Sequence, residues 1–455
     1  MSGFRWSWPQ AGIFSVGLFS GFLIGYSTAI IAGALIFITD EFQLRPWEQG
    51  AVVSMVLVGG FLGALLTNNL TRHFGQKKML LFIALLFIVA SLWCAYCAHV
   101  TTLILGRFML GLAVGMATVL GPMYVAETSS EKWRGMFVCS VQLAITIGIF
   151  IAYLSNYAFS FTHNWPMMFA IGAIPAGLFF FIMLTQPESP RWLVLTGQHS
   201  RAEAVYHYLQ GTTWNISQHP EEQDETSVTL KSLIRLKPAV LHALLFACGL
   251  FFFQNLSGID AILYYAPTIF QKTGFDFATD QLKMTMLLGF INILATFISI
   301  GLLDKIGRRP LLIIGLMCMS ISLLLFSLFS NLVLTYDWAK WFCPITLVLF
   351  ITLFAISLGP IPYVLMTELF PLKLRTLGIG VASATAWGTN AMVTFTYPMI
   401  VDAVGLIPPF IGFALISLTA GILAIKYCPE TKQQTLEAIS EKLNAGVKLR
   451  QLGED

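Results

Sequence analysis

The sequence predicts an all-α membrane protein of twelve transmembrane helices, arranged as two six-helix pseudo-repeats. Three observations predict it: scarce charge, apolar runs of membrane length, and basic residues kept to one side. Of 455 residues, 56% are hydrophobic and 11% charged, and the mean hydropathy is +0.76. A soluble chain of this length carries about a quarter charged residues. The apolar runs are roughly 20 residues long, enough to cross about 30 Å of hydrocarbon as a helix. Alternation with a period of two is absent, which argues against a β-barrel.

In chain order the spans fall at about 12–37, 50–70, 78–98, 102–125, 137–158, 166–184, 240–271, 282–303, 310–330, 343–366, 376–400 and 405–427. Arg5 precedes a full span without a small-residue cleavage site, so no removable leader is expected. If both termini are cytoplasmic, the outer loops hold Arg45, Lys272, Lys283 and Lys340. Arg107 then lies in a span, and all the rest of the 26 Lys and Arg are inside. That asymmetry sets the orientation, and the net charge of +3 reflects topology rather than nucleic-acid binding. The seven cysteines are an odd number and sit mostly within spans, so no disulfide framework is expected. Cys94 and Cys97, near the end of an apolar helix, read as small buried residues. No cofactor or metal is expected, and no Ser/His/Asp set, HExxH or Walker-type loop suggests an enzyme.

The longest polar stretch, 186–238, divides the chain into a half at 1–185, a cytoplasmic linker, a half at 239–428 and a cytoplasmic tail at 429–455. Within the linker, Arg201 to Leu209 reads as a short amphipathic helix, and the acidic EEQDE follows. The halves repeat. LTRHFGQKK (70–78) after span two matches LLDKIGRRP (302–310) after span eight. PMYVAETSSEKWRG (122–135) after span four matches PYVLMTELFPLKLR (362–375) after span ten. Paired motifs one half apart mark a parallel repeat, the layout of a rocking transporter. The positive-inside rule explains the basic clusters but not the shared order of Pro, Tyr, Glu and Arg. Glu127, Arg134, Glu368 and Arg375 stand at span ends, where pairs with Arg308, Arg309 or their counterparts would exist in one state and break in the other. Solvated charges at the membrane edge are the alternative.

With GYSTAIIAG (25–33), GRF (106–108), PMYVAE (122–127), PESPRWL (187–193), QNLSGIDAILYYAP (254–267), DKIGRRP (304–310), GPIPY (359–363) with ELFP (368–371), and PETK (429–432), the chain resembles the sugar porter family of the major facilitator superfamily over nearly its whole length. The resemblance implies alternating-access transport of a hexose, pentose or polyol such as inositol, by proton symport or passive facilitation, in the cytoplasmic membrane. One chain would form the whole pathway. It also implies that Gln142, Gln254, Asn255, Asn292, Trp387 and Asn390 face the sugar, with Tyr363 in place of the family's usual tryptophan. Amides suit a polyol, because each offers donors and an acceptor to hydroxyls that are both. Helix–helix hydrogen bonds are the competing use of such amides. Tyr264 and Tyr265 would form the extracellular gate; membrane-belt anchoring is the alternative. Glu127, Arg134, Asp304, Arg308, Arg309, Glu368 and Arg375 would form the cytoplasmic gate.

Three departures stand out. Ser27 occupies the position where proton-coupled members place an aspartate against the GRF arginine, here Arg107. Arg72 replaces the acid of the first loop motif, whereas the second keeps Asp304. In span seven, Asn255 and Asp260 replace a glutamine and an asparagine. An ionised carboxylate deep in a span costs at least a few kcal/mol unless it is compensated. On a continuous helix Gln254 and Asp260 point about 120° apart, so sharing one ligand requires a break, for which Gly258 and Pro267 provide. Asp260 could ligate sugar hydroxyls, take over proton coupling, or do both; a water-exposed acid in an outer vestibule is the alternative. Ser27 favours facilitation, and Asp260 supports symport. A non-transporting sugar sensor is a third reading, disfavoured by the short tail after PETK.

Overall fold

The computed structural model describes residues 8–210, 238–370 and 375–432, with isolated positions up to 452. The segment 211–237, including EEQDE, and the side chains of Arg134, Asp304 and Arg375 lie outside the described residues.

The first half runs α1 (Trp8–Ala29), α2 (Ile31–Phe42), α3 (Pro46–Phe74), α4 (Gln76–Ala95), α5 (Val100–Thr128), α6 (Glu131–Ser160), α7 (Trp165–Ala170) and α8 (Ala173–Thr185). Two short helices follow, α9 (Pro190–Leu195) and α10 (His199–Gln210). The latter corresponds to the amphipathic helix expected over 201–209. The second half runs α11 (Pro238–Leu256), α12 (Ile259–Lys272), α13 (Ala278–Ile306), α14 (Arg308–Leu332), α15 (Phe342–Ile356), α16 (Ile361–Leu369), α17 (Arg375–Val404) and α18 (Ile407–Tyr427). The chain forms two compact units, Met1–Leu44 with Ala51–Glu225, and Arg45–Gly50 with Thr226–Asp455.

Among the described residues, eleven helical stretches are long and apolar enough to cross a membrane. The twelfth expected span is α17, with 30 residues. Thr385, Thr389, Asn390, Thr394 and Thr396 lower its apolar character, because this helix carries part of the polar candidate site. The sequence reading anticipated one broken span; among the described residues two spans have a non-helical joint. Span seven breaks between α11 and α12 at Gly258 (φ +90°) and span ten between α15 and α16 at Ser357 (φ −118°, ψ −85°), whereas Ile30 between α1 and α2, and Ile171 and Gly172 between α7 and α8, keep helical backbone angles.

Within the first unit α1 packs along α6, and within the second α14 packs along α18. Small residues permit the first approach. A Cβ on Gly25 would stand 2.0 Å from the Ile145 carbonyl oxygen, and one on Gly148 would stand 2.3 Å from that of Phe22. Close backbone approach is how helices associate in lipid, where apolar surface by itself gives little drive. Outward faces remain apolar: α14 exposes Ile314, Ile321 and Leu328 at seven-residue spacing, and α4 exposes Phe82, Leu85 and Val89.

Candidate functional site: a broken span and two polar latches

Span seven breaks where the sequence suggested. Gly258 has φ +90°, a left-handed conformation that costs a glycine little. A Cβ there would lie 2.4 Å from the Phe413 ring, so packing also demands glycine. A second interruption lies at Tyr265 (φ −115°, ψ 16°), two residues before Pro267. Proline removes a helical donor and crowds the preceding turn.

The break changes what the amides do. Gln254 is buried, and its Nε2 donates to the carbonyls of Leu358 (2.9 Å) and Gly359 (3.1 Å). These carbonyls belong to the gap between α15 and α16, so one side chain joins two interrupted spans and satisfies backbone that lipid could not. Asn255 turns back along its own helix, with Nδ2 donating to the Phe251 carbonyl at 2.7 Å.

Asp260 sits in the first turn of α12, 9% exposed. It accepts a hydrogen bond from Asn390 of α17. Asn390 Oδ1 in turn accepts from Thr394 Oγ1 at 3.1 Å, and the Thr394 carbonyl accepts from the Tyr265 hydroxyl at 2.8 Å. The second carboxylate oxygen of Asp260, Oδ2, is buried and has no hydrogen-bond partner among the described residues. Tyr363 of α16 lies within electrostatic reach of Asp260, packs edge-on to Phe251 at 4.9 Å, and keeps 52% of its surface exposed.

The structure thus brings Gln254, Asp260, Asn390 and Tyr363 into one region of the second half. Trp387 and Asn292 are half-buried on α17 and α13, and Gln142 is exposed on α6 in the first half. Tyr264 and Tyr265 are both buried, and the Tyr265 ring lies 5.1 Å from that of Tyr397. Arg107 is fully buried. Its Nη1 donates to the Ser27 carbonyl at 2.9 Å and its Nε to the Val52 carbonyl at 3.2 Å. Span one therefore meets this arginine with backbone, through a residue that cannot ionise.

The repeated loop motifs build two similar latches. In the first half, Glu188 Oε1 accepts from the backbone N–H groups of Gln76 and Lys77, both at 2.9 Å, at the start of α4. Gln76 Nε2 donates to Glu127 Oε2 at 2.7 Å, and the Ser189 hydroxyl donates to the same oxygen. In the second half, Glu430 accepts from the N–H groups of Arg308 and Arg309, both at 3.1 Å, at the start of α14. Arg308 Nη2 pairs with Glu368 Oε1 at 3.0 Å, and the Thr431 hydroxyl donates to Glu368 Oε2. A carboxylate at a helix N-terminus takes up donors the helix leaves unused and faces the positive end of its dipole. Arg309 uses its Nη2 on the Ile425 carbonyl at 2.9 Å.

Sequence reasoning missed Glu188, Ser189, Glu430, Thr431, Gln76 and Thr394. A signal for the first four was present, since Pro-Glu-Ser (187–189) and Pro-Glu-Thr (429–431) follow spans six and twelve as a third repeated pair.

Comparison with known proteins agrees with this architecture. The xylose transporter XylE from E. coli, in an inward-open conformation, superposes with a TM-score of 0.81 at 28% identity, over 96% of this chain and all of that one. The galactose-proton symporter of Escherichia coli K12 is 37% identical over 437 residues, 95% of this chain and 94% of the relative. The D-xylose transporter of Levilactobacillus brevis is 35% identical over 95% of each chain. The family model described as "Sugar (and other) transporter" matches residues 14–443. With two repeated halves of membrane-spanning helices and a match over nearly its whole length, the chain belongs to the sugar transporter family of the major facilitator fold.

Proposed function

We propose that the protein carries a small sugar or polyol across a bacterial cytoplasmic membrane by alternating access, as a single chain with both termini in the cytoplasm. The carrying observation is the cluster of Gln254, Asp260, Asn390 and Tyr363 at the interrupted span seven. Buried acceptors and donors beside an exposed aromatic ring match the alternation of hydroxyls and C–H faces on a sugar. Gln142, Asn255, Asn292 and Trp387 complete the proposed lining. Relatives named for galactose, arabinose and xylose support a monosaccharide substrate.

Tyr264 and Tyr265 act as the outer gate in this reading. The latches around Glu127 and Glu368, with Arg134, Asp304, Arg308, Arg309 and Arg375, act as the cytoplasmic one. On span one alone the reading is facilitative, because Ser27 offers Arg107 a carbonyl rather than an acid. Oδ2 of Asp260, without a hydrogen-bond partner among the described residues, together with relatives named as proton symporters, favours symport instead.

Uptake of labelled galactose, arabinose, xylose and inositol into proteoliposomes holding the full chain tests the proposal. We expect saturable uptake of at least one, competed by its unlabelled form. Binding without uptake would favour a sensor, and neither binding nor uptake of any would sink the substrate class.

A further inference from the structure

We infer that Asp260 is the proton-carrying residue of this transporter, and that its protonation reaches the outer part of span seven through Asn390, Thr394 and Tyr265. The inference rests on the transport reading above. Three observations carry it.

The first is geometric. Asp260 lies in the first turn of the helix that follows the left-handed Gly258 break. It is buried, one oxygen is held by Asn390, and the other is unpartnered among the described residues. An ion left this way inside a membrane protein is costly, and either a proton or a ligand hydroxyl on Oδ2 relieves the cost.

The second is the surroundings. α12 packs against α11, α13, α15 and α17. Their described ionisable groups are His242 and Cys248 on α11, Asp280, Lys283 and Lys305 on α13, Cys343 on α15, and Tyr397 and Asp402 on α17. Asp280 and Lys283 pair with each other in the open. Among these elements and α16, the Tyr363 phenol is the ionisable group that feels the charge of Asp260, and no cation neutralises that charge among the described residues. These groups leave the charge on Asp260 uncompensated, and a proton on Oδ2 would remove it.

The third is connectivity. Asp260, Asn390, Thr394 and Tyr265 form a hydrogen-bonded circuit that leaves α12, runs along one turn of α17, and returns to α12 at its second interruption. The bond from Asn390 to an ionised carboxylate is charge-assisted and weakens when the acid is neutral. Protonation loosens Asn390, frees the Thr394 hydroxyl to turn, and relaxes the carbonyl that anchors Tyr265. Proton binding and the position of Tyr265 are then linked, each biasing the other. The proton is taken from the side where the site is open, travels on Oδ2 with the sugar, and leaves on the other side. Phe413 adds a mechanical element, since its ring covers Gly258 and stacks on Tyr397, the neighbour of Tyr265.

The test is accumulation in proteoliposomes with an inside-alkaline pH gradient, using labelled galactose, arabinose and xylose. The steady-state ratio reports coupling rather than turnover. At one proton per sugar, each unit of gradient supports about a tenfold ratio. The wild-type protein should accumulate sugar, Asp260→Asn should fall to a ratio of one, and Asp260→Glu should restore accumulation in part. Thr394→Val should lower the ratio by breaking the relay. Accumulation by Asp260→Asn equal to wild type would overturn the assignment, and an unaltered ratio in Thr394→Val would overturn the relay. If Asp260→Asn does not assemble, the wild type decides the proton part. Sugar added to lightly buffered vesicles should alkalinise the medium, and no alkalinisation overturns the inference. Counterflow without a gradient separates the two readings. Counterflow with no gradient-driven accumulation overturns only the proton role, whereas no counterflow with any sugar overturns transport itself.

Discussion

The latch of the first half and the latch of the second share one backbone device and differ by one charge. In both, a glycine with φ near +90° (Gly75 at +91°, Gly307 at +98°) ends one span, and a glutamate from a distant Pro-Glu-Ser/Thr segment covers the start of the next. The carboxylate stands where a side chain would begin: a Cβ on Gly75 would lie 2.5 Å from Glu188 Oε2, and one on Gly307 2.6 Å from Glu430 Oε2. The next residue then reaches the glutamate of the neighbouring loop motif. It is neutral Gln76 in the first half and Arg308 in the second. A hydrogen bond from a neutral amide to a carboxylate contributes about 2 kcal/mol, whereas loss of one partner of a buried ion pair costs about 4 kcal/mol. The repeat therefore conserves the way each helix is started and varies how strongly each latch is tied.

Substitutions at the paired glutamates should show the largest contrast. Glu368→Ala removes the carboxylate paired with the Arg308 guanidinium, whose side chain is 13% exposed, and should cost about 4 kcal/mol of stability. Glu127→Ala takes this acceptor from two neutral donors, the Gln76 amide and the Ser189 hydroxyl, and should cost about 2 kcal/mol. Thermal unfolding of the detergent-solubilised protein measures both, and equal losses would erase the proposed difference. The helix-start glutamates should behave alike instead. Glu188→Gln and Glu430→Gln each weaken a charge-to-dipole interaction and should each cost about 1 kcal/mol. A large inequality between them would show that the shared backbone device is not equivalent in the two halves. The smallest effect is expected from Gln76→Arg, which copies the second latch into the first. A gain of about 0.5 kcal/mol, together with slower initial sugar uptake, would support the gate reading, and faster uptake would contradict it.

The candidate site shows a similar division between what residue types announce and what their partners decide. Gly258 and Pro267 announced the interruption of span seven, because one tolerates a left-handed backbone and the other lacks a donor. Asp260 stood out because an acid deep in an apolar run is rare. Nothing in the run itself showed that Gln254 would join the gap between α15 and α16, or that Asn255 would bond back to Phe251. Nor did it show that Thr394 and Tyr265 would close a circuit through Asn390.

By itself, then, the sequence determined the membrane spans, their repetition in two halves and the interruption of span seven. Each depends on apolar run length, charge and local backbone preference, properties that a short stretch carries with it. Only the tertiary structure decided the partners: Glu188 with the start of α4, Glu430 with the start of α14, Asn390 with Asp260, and the Ser27 carbonyl with Arg107. A buried polar group must be satisfied by whatever donor or acceptor packing brings within reach. In this chain that partner often lies on another helix, about a hundred residues away or more.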